Sequence, residues 1–167
     1  GDVYKRQVWN YNKLDYGDRF CSGLLFWYHN CSMRQVSSRM WDWSLEPTAS
    51  LYHTANSLEP LHAQFDYLKN TVSVVNDYYR SFNNYKVIAR VYDINSRKVY
   101  EESASVNLPE DGVANDVLTI RFPENISQVH FIKLVLKDEK GKDVSSNFYW
   151  RSNDKYEGSN CLLYTSP

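Results

Sequence analysis

Long apolar runs are missing from this sequence. Nothing in it approaches the ~20 consecutive apolar residues of a membrane-crossing helix, so no membrane partner is expected. Charge of one sign is missing as well: Lys and Arg nearly balance Asp and Glu, with a net charge of −1. Such a balance leaves no basic face for nucleic acid or for an anionic lipid surface. Cysteine is scarce. Cys161 lies in a terminus set aside below, and Cys21 and Cys31, ten apart, have neither a disulfide framework nor a metal-ligand spacing. They read as two buried free thiols. No metal site and no cofactor is expected, and there is no internal repeat or low-complexity segment.

The two ends are expected not to belong to the fold. Back-translation of Cys161-Leu-Leu-Tyr-Thr-Ser-Pro167 as TGT CTC TTA TAC ACA TCT CCG has a reverse complement that, in a shifted frame, encodes Gly1-Asp-Val-Tyr-Lys-Arg and begins Gln7. Unrelated protein ends are not inverted repeats of one another, and both resemble a translated sequencing adapter. Residues 1–7 and 161–167 are therefore excluded from fold reasoning, as a tag would be. Without Asp2, Lys5 and Arg6 the net charge shifts by one, to −2. What remains, Val8 to Asn160, reads as an open fragment with room for one complete domain of about 100 residues plus an incomplete segment.

That remainder divides near Glu59-Pro60. Upstream, Cys21-Ser-Gly-Leu-Leu-Phe-Trp-Tyr28 is an unalternating apolar run with polar flanks, the pattern of a strand buried on both faces. Residues 47–58 then predict a helix, with Pro47 at its first position and Leu51, Ala55 and Leu58 on one face. Downstream the period changes to two. Strands are predicted at about 61–69, 71–79, 85–94, 97–107, 113–122, 129–138 and 143–151. Val87, Ala89 and Val91 share one face, as do Leu118, Ile120 and Phe122. Turn signals separate the strands: Asn83-Asn84, Asn95-Ser96, Pro109-Glu-Asp-Gly112, Pro123-Glu-Asn125 and Lys140-Gly-Lys142. Seven short strands with no helix between them predict a mainly β chain built on an immunoglobulin-like antiparallel sandwich. No cysteine pair staples it, so its core must come from Val, Ile, Leu and aromatics.

Four segments together carry a family resemblance: Ser22-Gly-Leu-Leu-Phe-Trp-Tyr-His-Asn30, Met40-Trp-Asp-Trp-Ser-Leu-Glu-Pro47, Glu59-Pro-Leu-His-Ala-Gln-Phe65 and Thr71-Val-Ser-Val-Val-Asn76. Over residues 20–152 the chain resembles glycoside hydrolase family two, in the branch of the exo-β-D-glucosaminidases and β-mannosidases. The resemblance implies a C-terminal barrel fragment at 8–59, with the eighth strand of a TIM barrel at 22–30 and its last helix at 47–58. It implies an immunoglobulin-like domain at 60–152 that packs on the upstream barrel, and a linker at 153–160.

The same resemblance sets the chemical expectation. Family-two enzymes are retaining hydrolases with two glutamates, whose carboxyl groups must stand about 5–5.5 Å apart across the scissile bond. The family places both upstream of Val8, so this chain holds no catalytic residue, and alone it is expected to be inactive. Asp42, Glu46 and Glu59 take structural roles, with Glu46 capping the helix at Pro47. Residues at the C-terminal ends of barrel strands face the active site. That places Trp27 and Asn30 as substrate-binding residues: an indole face stacks on a pyranose, and an amide holds a hydroxyl as both donor and acceptor. The bland alternative is that Trp27 packs barrel core and Asn30 caps the strand. His29 is read as structural, and Trp41 and Trp43 as packing at the barrel–sandwich junction. The Ser37-Ser-Arg39 stretch departs from the glucosaminidase pattern, which leaves the sugar open. Asn30-Cys-Ser and Asn125-Ile-Ser match the glycosylation acceptor pattern and are read as chance.

The implied parent is periplasmic or secreted and removes terminal β-linked glucosamine or mannose from oligosaccharides. The competing reading is a non-catalytic carbohydrate-binding or structural sandwich, for which Tyr78, Tyr79, Phe82 and Tyr85 would supply the aromatic contacts. A third reading, an adhesin-like surface domain, has no supporting repeat or cell-wall signal.

Overall fold

The computed structural model describes residues 30, 32–34, 39–67 and 69–152. The chain forms two compact units, with the boundary between Glu59 and Pro60.

Within the first unit, residues 39–48 double back on themselves. Trp41 bridges Asn30 in parallel and Pro47 in antiparallel sense. The helix, α1, spans Ala49–Ser57. It starts two residues later than the sequence predicts, because Pro47 is held in that extended bridge rather than at the first helical position. Thr48 is the N-cap, yet its hydroxyl turns away from the helix and donates to the Arg39 carbonyl. Glu46 therefore does not cap α1: no acidic residue stands in its first turn, and the Glu46 amide instead donates to Asp42 Oδ1 at 2.9 Å. The predicted apolar face is also not the buried one. Thr54 is buried, whereas Ala55 and Leu58 are exposed.

The second unit is a sandwich of seven strands: β1 (Leu61–Asp66), β2 (Thr71–Asn76), β3 (Phe82–Asp93), β4 (Lys98–Leu108), β5 (Gly112–Thr119), β6 (Val129–Lys137) and β7 (Asp143–Ser152). One sheet has the order β1-β2-β5 and the other β4-β3-β6-β7. Every pairing is antiparallel. Strand β5 leaves β4 to join the first sheet, and β6 returns beside β3, the connectivity of an immunoglobulin-like sandwich. Alternation explains the core. Val87, Ala89 and Val91 of β3 lie in register with Leu136, Leu134 and Ile132 of β6, and all six are fully buried. Val72, Val74 and Phe65 meet them from the other sheet, also buried. Each Val, Leu, Ile or Phe side chain among them contributes roughly 1.5–3 kcal/mol on leaving water. These aliphatic layers stand where an antibody domain keeps a disulfide.

The Asn83-Asn84 turn signal does not separate strands. It falls inside β3, where the register with β4 shifts between Phe82 and Tyr85 and Asn84 takes a φ of 59°. Asparagine tolerates that left-handed conformation, so the pair makes a bulge and β3 begins earlier than predicted.

Candidate functional site

Of the two residues expected to touch sugar, Trp27 lies outside the described residues, as do His29, both internal cysteines, the rest of the 22–29 strand, the 153–160 linker and the two end segments. Asn30 is described. It is exposed, its backbone pairs with Trp41, and its carbonyl accepts from Arg39 Nη1 at 2.9 Å. The adjoining turn is organised by Asp42, whose Oδ1 accepts from the Ser44 amide at 2.8 Å, the Ser44 hydroxyl at 2.8 Å and the Glu46 amide at 2.9 Å. The Ser44 hydroxyl, and then the Glu46 amide, hold this carboxyl below the usual aspartate range. A carboxylate so engaged organises a loop. Trp43 is half exposed, with the Arg34 guanidinium 4.9 Å over its ring.

In the sandwich, the aromatic residues singled out from the sequence gather at the β2–β3 connection. Tyr78 packs on Phe82 at 5.8 Å between ring centroids, and Phe82 on Tyr85 at 5.3 Å. Arg80 lies over both Tyr78 and Phe82, at 5.5 and 4.7 Å. Beside them opens a cleft of about 400 Å³ lined by Arg80, Ser81, Phe82, Asn83, Tyr85 and Glu139. Burial, followed by the Asp138 carboxylate, raises the Tyr85 hydroxyl above its ordinary value.

The connection is pinned by Asn76, the last residue of Val72-Ser-Val-Val-Asn76 and fully buried. Its Nδ2 donates to the carbonyls of Arg80 and Pro109 at 2.8 and 2.6 Å, and its Oδ1 accepts from the Tyr78 amide at 3.0 Å. One side chain thus ties the β2–β3 and β4–β5 loops together.

A second aromatic group was not legible from the sequence. On the outer face of the four-stranded sheet, Tyr92, Phe131 and Trp150 fall in one register row across β3, β6 and β7, and Phe148 stacks on Phe131 at 5.5 Å and 22°. Each lies on its own strand's polar-facing phase. Only the strand pairing, set by turns, brings them side by side. Among the described residues, no three His, Cys, Asp or Glu side chains converge as a metal site would require.

Residues 69–156 match the family model of the mannosidase Ig/CBM-like domain. The chain belongs to this family. The chain is 26% identical over 150 residues to an exo-β-D-glucosaminidase of Streptomyces avermitilis, a match covering 87% of the chain and 17% of the relative. With the exo-β-D-glucosaminidase of Amycolatopsis orientalis it is 24% identical over 132 residues, covering 78% of the chain and 13% of the relative. The chain therefore spans less than a fifth of the length of these relatives. Among solved structures, the exo-chitosanase of Amycolatopsis orientalis superimposes with a TM-score of 0.78 at 21% identity, over 90% of this chain and 18% of that one. The β-D-mannosidase of Dictyoglomus thermophilum gives a TM-score of 0.64 at 18% identity, over 90% and 18%. At these identities the structural likeness establishes the sandwich fold.

Proposed function

We propose that the chain is part of a retaining glycoside hydrolase that removes β-linked glucosamine or mannose from the ends of oligosaccharides, with the sandwich supporting the barrel. One observation carries the reading: the match to the Streptomyces glucosaminidase covers more residues than the unit from Pro60 onward contains. The likeness therefore runs into the first unit, where the barrel's last strand and helix are assigned to residues 8–59. On this reading the acid/base and nucleophile glutamates precede Val8. Trp27 and Asn30 form part of the wall of the sugar pocket, Trp27 by stacking and Asn30 by hydrogen bonding to a hydroxyl. Asp42 is occupied by its turn, which supports a structural role beside the pocket.

Two assays test the proposal. The 167-residue chain should release nothing above background from an aryl-β-glucosaminide or aryl-β-mannoside, and the parent enzyme carrying it should hydrolyse at least one. In that parent, Trp27→Ala should lower kcat/KM by one to three orders of magnitude, about 1.4–4 kcal/mol of transition-state stabilisation. Asn30→Ala should cost a similar or smaller amount, since a buried hydrogen bond to a hydroxyl is worth roughly 1–3 kcal/mol. A Trp27→Ala parent that loses stability but keeps its kcat/KM would assign Trp27 to packing instead.

A further inference from the structure

The cleft at the β2–β3 corner has features that the supporting role of the sandwich does not use. Its rings are fixed in advance. Asn76 holds the Arg80 carbonyl and the Tyr78 amide, and the Asp111 amide donates to the Tyr78 carbonyl at 2.9 Å, so the loop is tied from both sides. Tyr78 in turn packs on Phe82 at 5.8 Å between ring centroids, and Phe82 on Tyr85 at 5.3 Å. Loss of side-chain freedom on binding is thereby reduced, which favours a binding surface.

The chemistry of the lining narrows the ligand. Arg80 and Asn83 offer donors, Glu139 offers acceptors, and Ser81 and Tyr85 offer hydroxyls of both kinds, all within one cleft of about 400 Å³. An anion would meet Glu139, with Asp138 next to it. A purely apolar ligand would meet a charged rim. A polyhydroxylated ring satisfies both requirements: its C–H face stacks on an aromatic side chain and its hydroxyls alternate as donors and acceptors. We propose that this cleft is a non-catalytic sugar-binding site that holds one pyranose of a β-linked, neutral or amine-bearing oligosaccharide against Tyr85, with Arg80 and Glu139 contacting its hydroxyls. The choice of β-linked sugars rests on the proposed function; the cleft itself rests on the sandwich alone.

The test uses the full 167-residue chain, titrated with β-linked oligomers of glucosamine, mannose and glucose while backbone amide shifts are followed by NMR. At least one oligomer should give saturable shifts confined to residues 78–85 and 138–140, with a Kd on the order of 0.1–1 mM. Tyr85→Ala should weaken that binding about three- to tenfold, and Glu139→Gln, a change on an exposed turn that leaves the fold unburdened, by a comparable factor. Should Tyr85→Ala fail to fold, Glu139→Gln gives the same reading. The absence of saturable shifts with all three oligomers would overturn the proposal. So would shifts centred on Tyr92, Phe131 and Phe148 that neither substitution changes. Hydrolysis plays no part in this measurement, so its failure is distinguishable from failure of the proposed activity of the parent.

Discussion

At the scale of single residues, two buried polar groups decide how the sandwich responds to change. Asn76 ends β2 on the inward phase of an alternating strand, a position that otherwise holds valine, and is tolerated there because all its bonds are made within the fold. Replacing it with leucine would leave the Arg80 and Pro109 carbonyls and the Tyr78 amide without their partner. An unsatisfied buried polar group costs roughly 1–3 kcal/mol, so Asn76→Leu should destabilise by about 2–4 kcal/mol, read as a lower urea midpoint at unchanged slope. His130 is the second group. It is fully buried, lies 5.0 Å from the Phe122 ring, and faces the Ser127 carbonyl and the charge of Arg151. Burial pushes its pKa below the ordinary 6.5, a trend the Ser127 carbonyl opposes and Arg151 reinforces. The unfolded chain therefore takes up a proton before the folded one does. Stability is fully present above pH 6.5 and is lost as the pH falls from there toward the folded pKa. His130→Phe should flatten that part of the curve, measured as ΔG of unfolding from pH 8 to 5. An unchanged slope would move the pH dependence to other groups.

The elements show what alternation alone conveys and where it stops. All seven strands were legible because the inward positions alternate strictly enough to fix which face is buried. Their ends were less so, since ends are set by loop bonds such as those of Asn76, which periodicity does not register. The helix start was missed for the same kind of reason: Thr48 spends its hydroxyl on a neighbouring loop, and Pro47 serves a bridge. One regularity appears only in three dimensions. The β3–β4 and β6–β7 hairpins are built alike. In the first, Asp93 Oδ1 accepts from the amides of Asn95 and Arg97; in the second, Asp138 Oδ1 accepts from those of Lys140 and Lys142. The left-handed position of the first is Ser96, with φ 62°, and of the second Gly141, with φ 82°. A non-glycine residue there carries a penalty of about 1–2 kcal/mol, partly offset by the greater freedom that glycine has when unfolded. Ser96→Gly should therefore stabilise by about 0.5 kcal/mol, and Gly141→Ser should destabilise by a similar or larger amount. Thermal midpoints that moved the other way would show the two turns to be unlike.

On the scale of the whole molecule, the two units differ in self-sufficiency. The sandwich closes its own aliphatic core, so residues 60–152 should unfold cooperatively when expressed alone. Residues 8–59 carry a run, Leu24-Leu-Phe-Trp27, whose pattern expects neighbours on both faces. Separately expressed, that piece should associate or remain unfolded, and a monomeric, cooperatively unfolding 8–59 would contradict the barrel assignment. The site was less legible than the fold. A sugar pocket is assembled from several strand ends, and on the proposed reading this sequence supplies one of them. The outer-face aromatic row depends on pairings between strands distant in sequence. The proposed activity belongs to the parent enzyme, and it is tested most directly by an NMR time course of hydrolysis of an aryl-β-glucosaminide or aryl-β-mannoside, following the anomeric signal of the first sugar released. A retaining pair of glutamates predicts that the β-anomer forms first and then mutarotates. Release of the α-anomer first, or no release from either substrate, would contradict it.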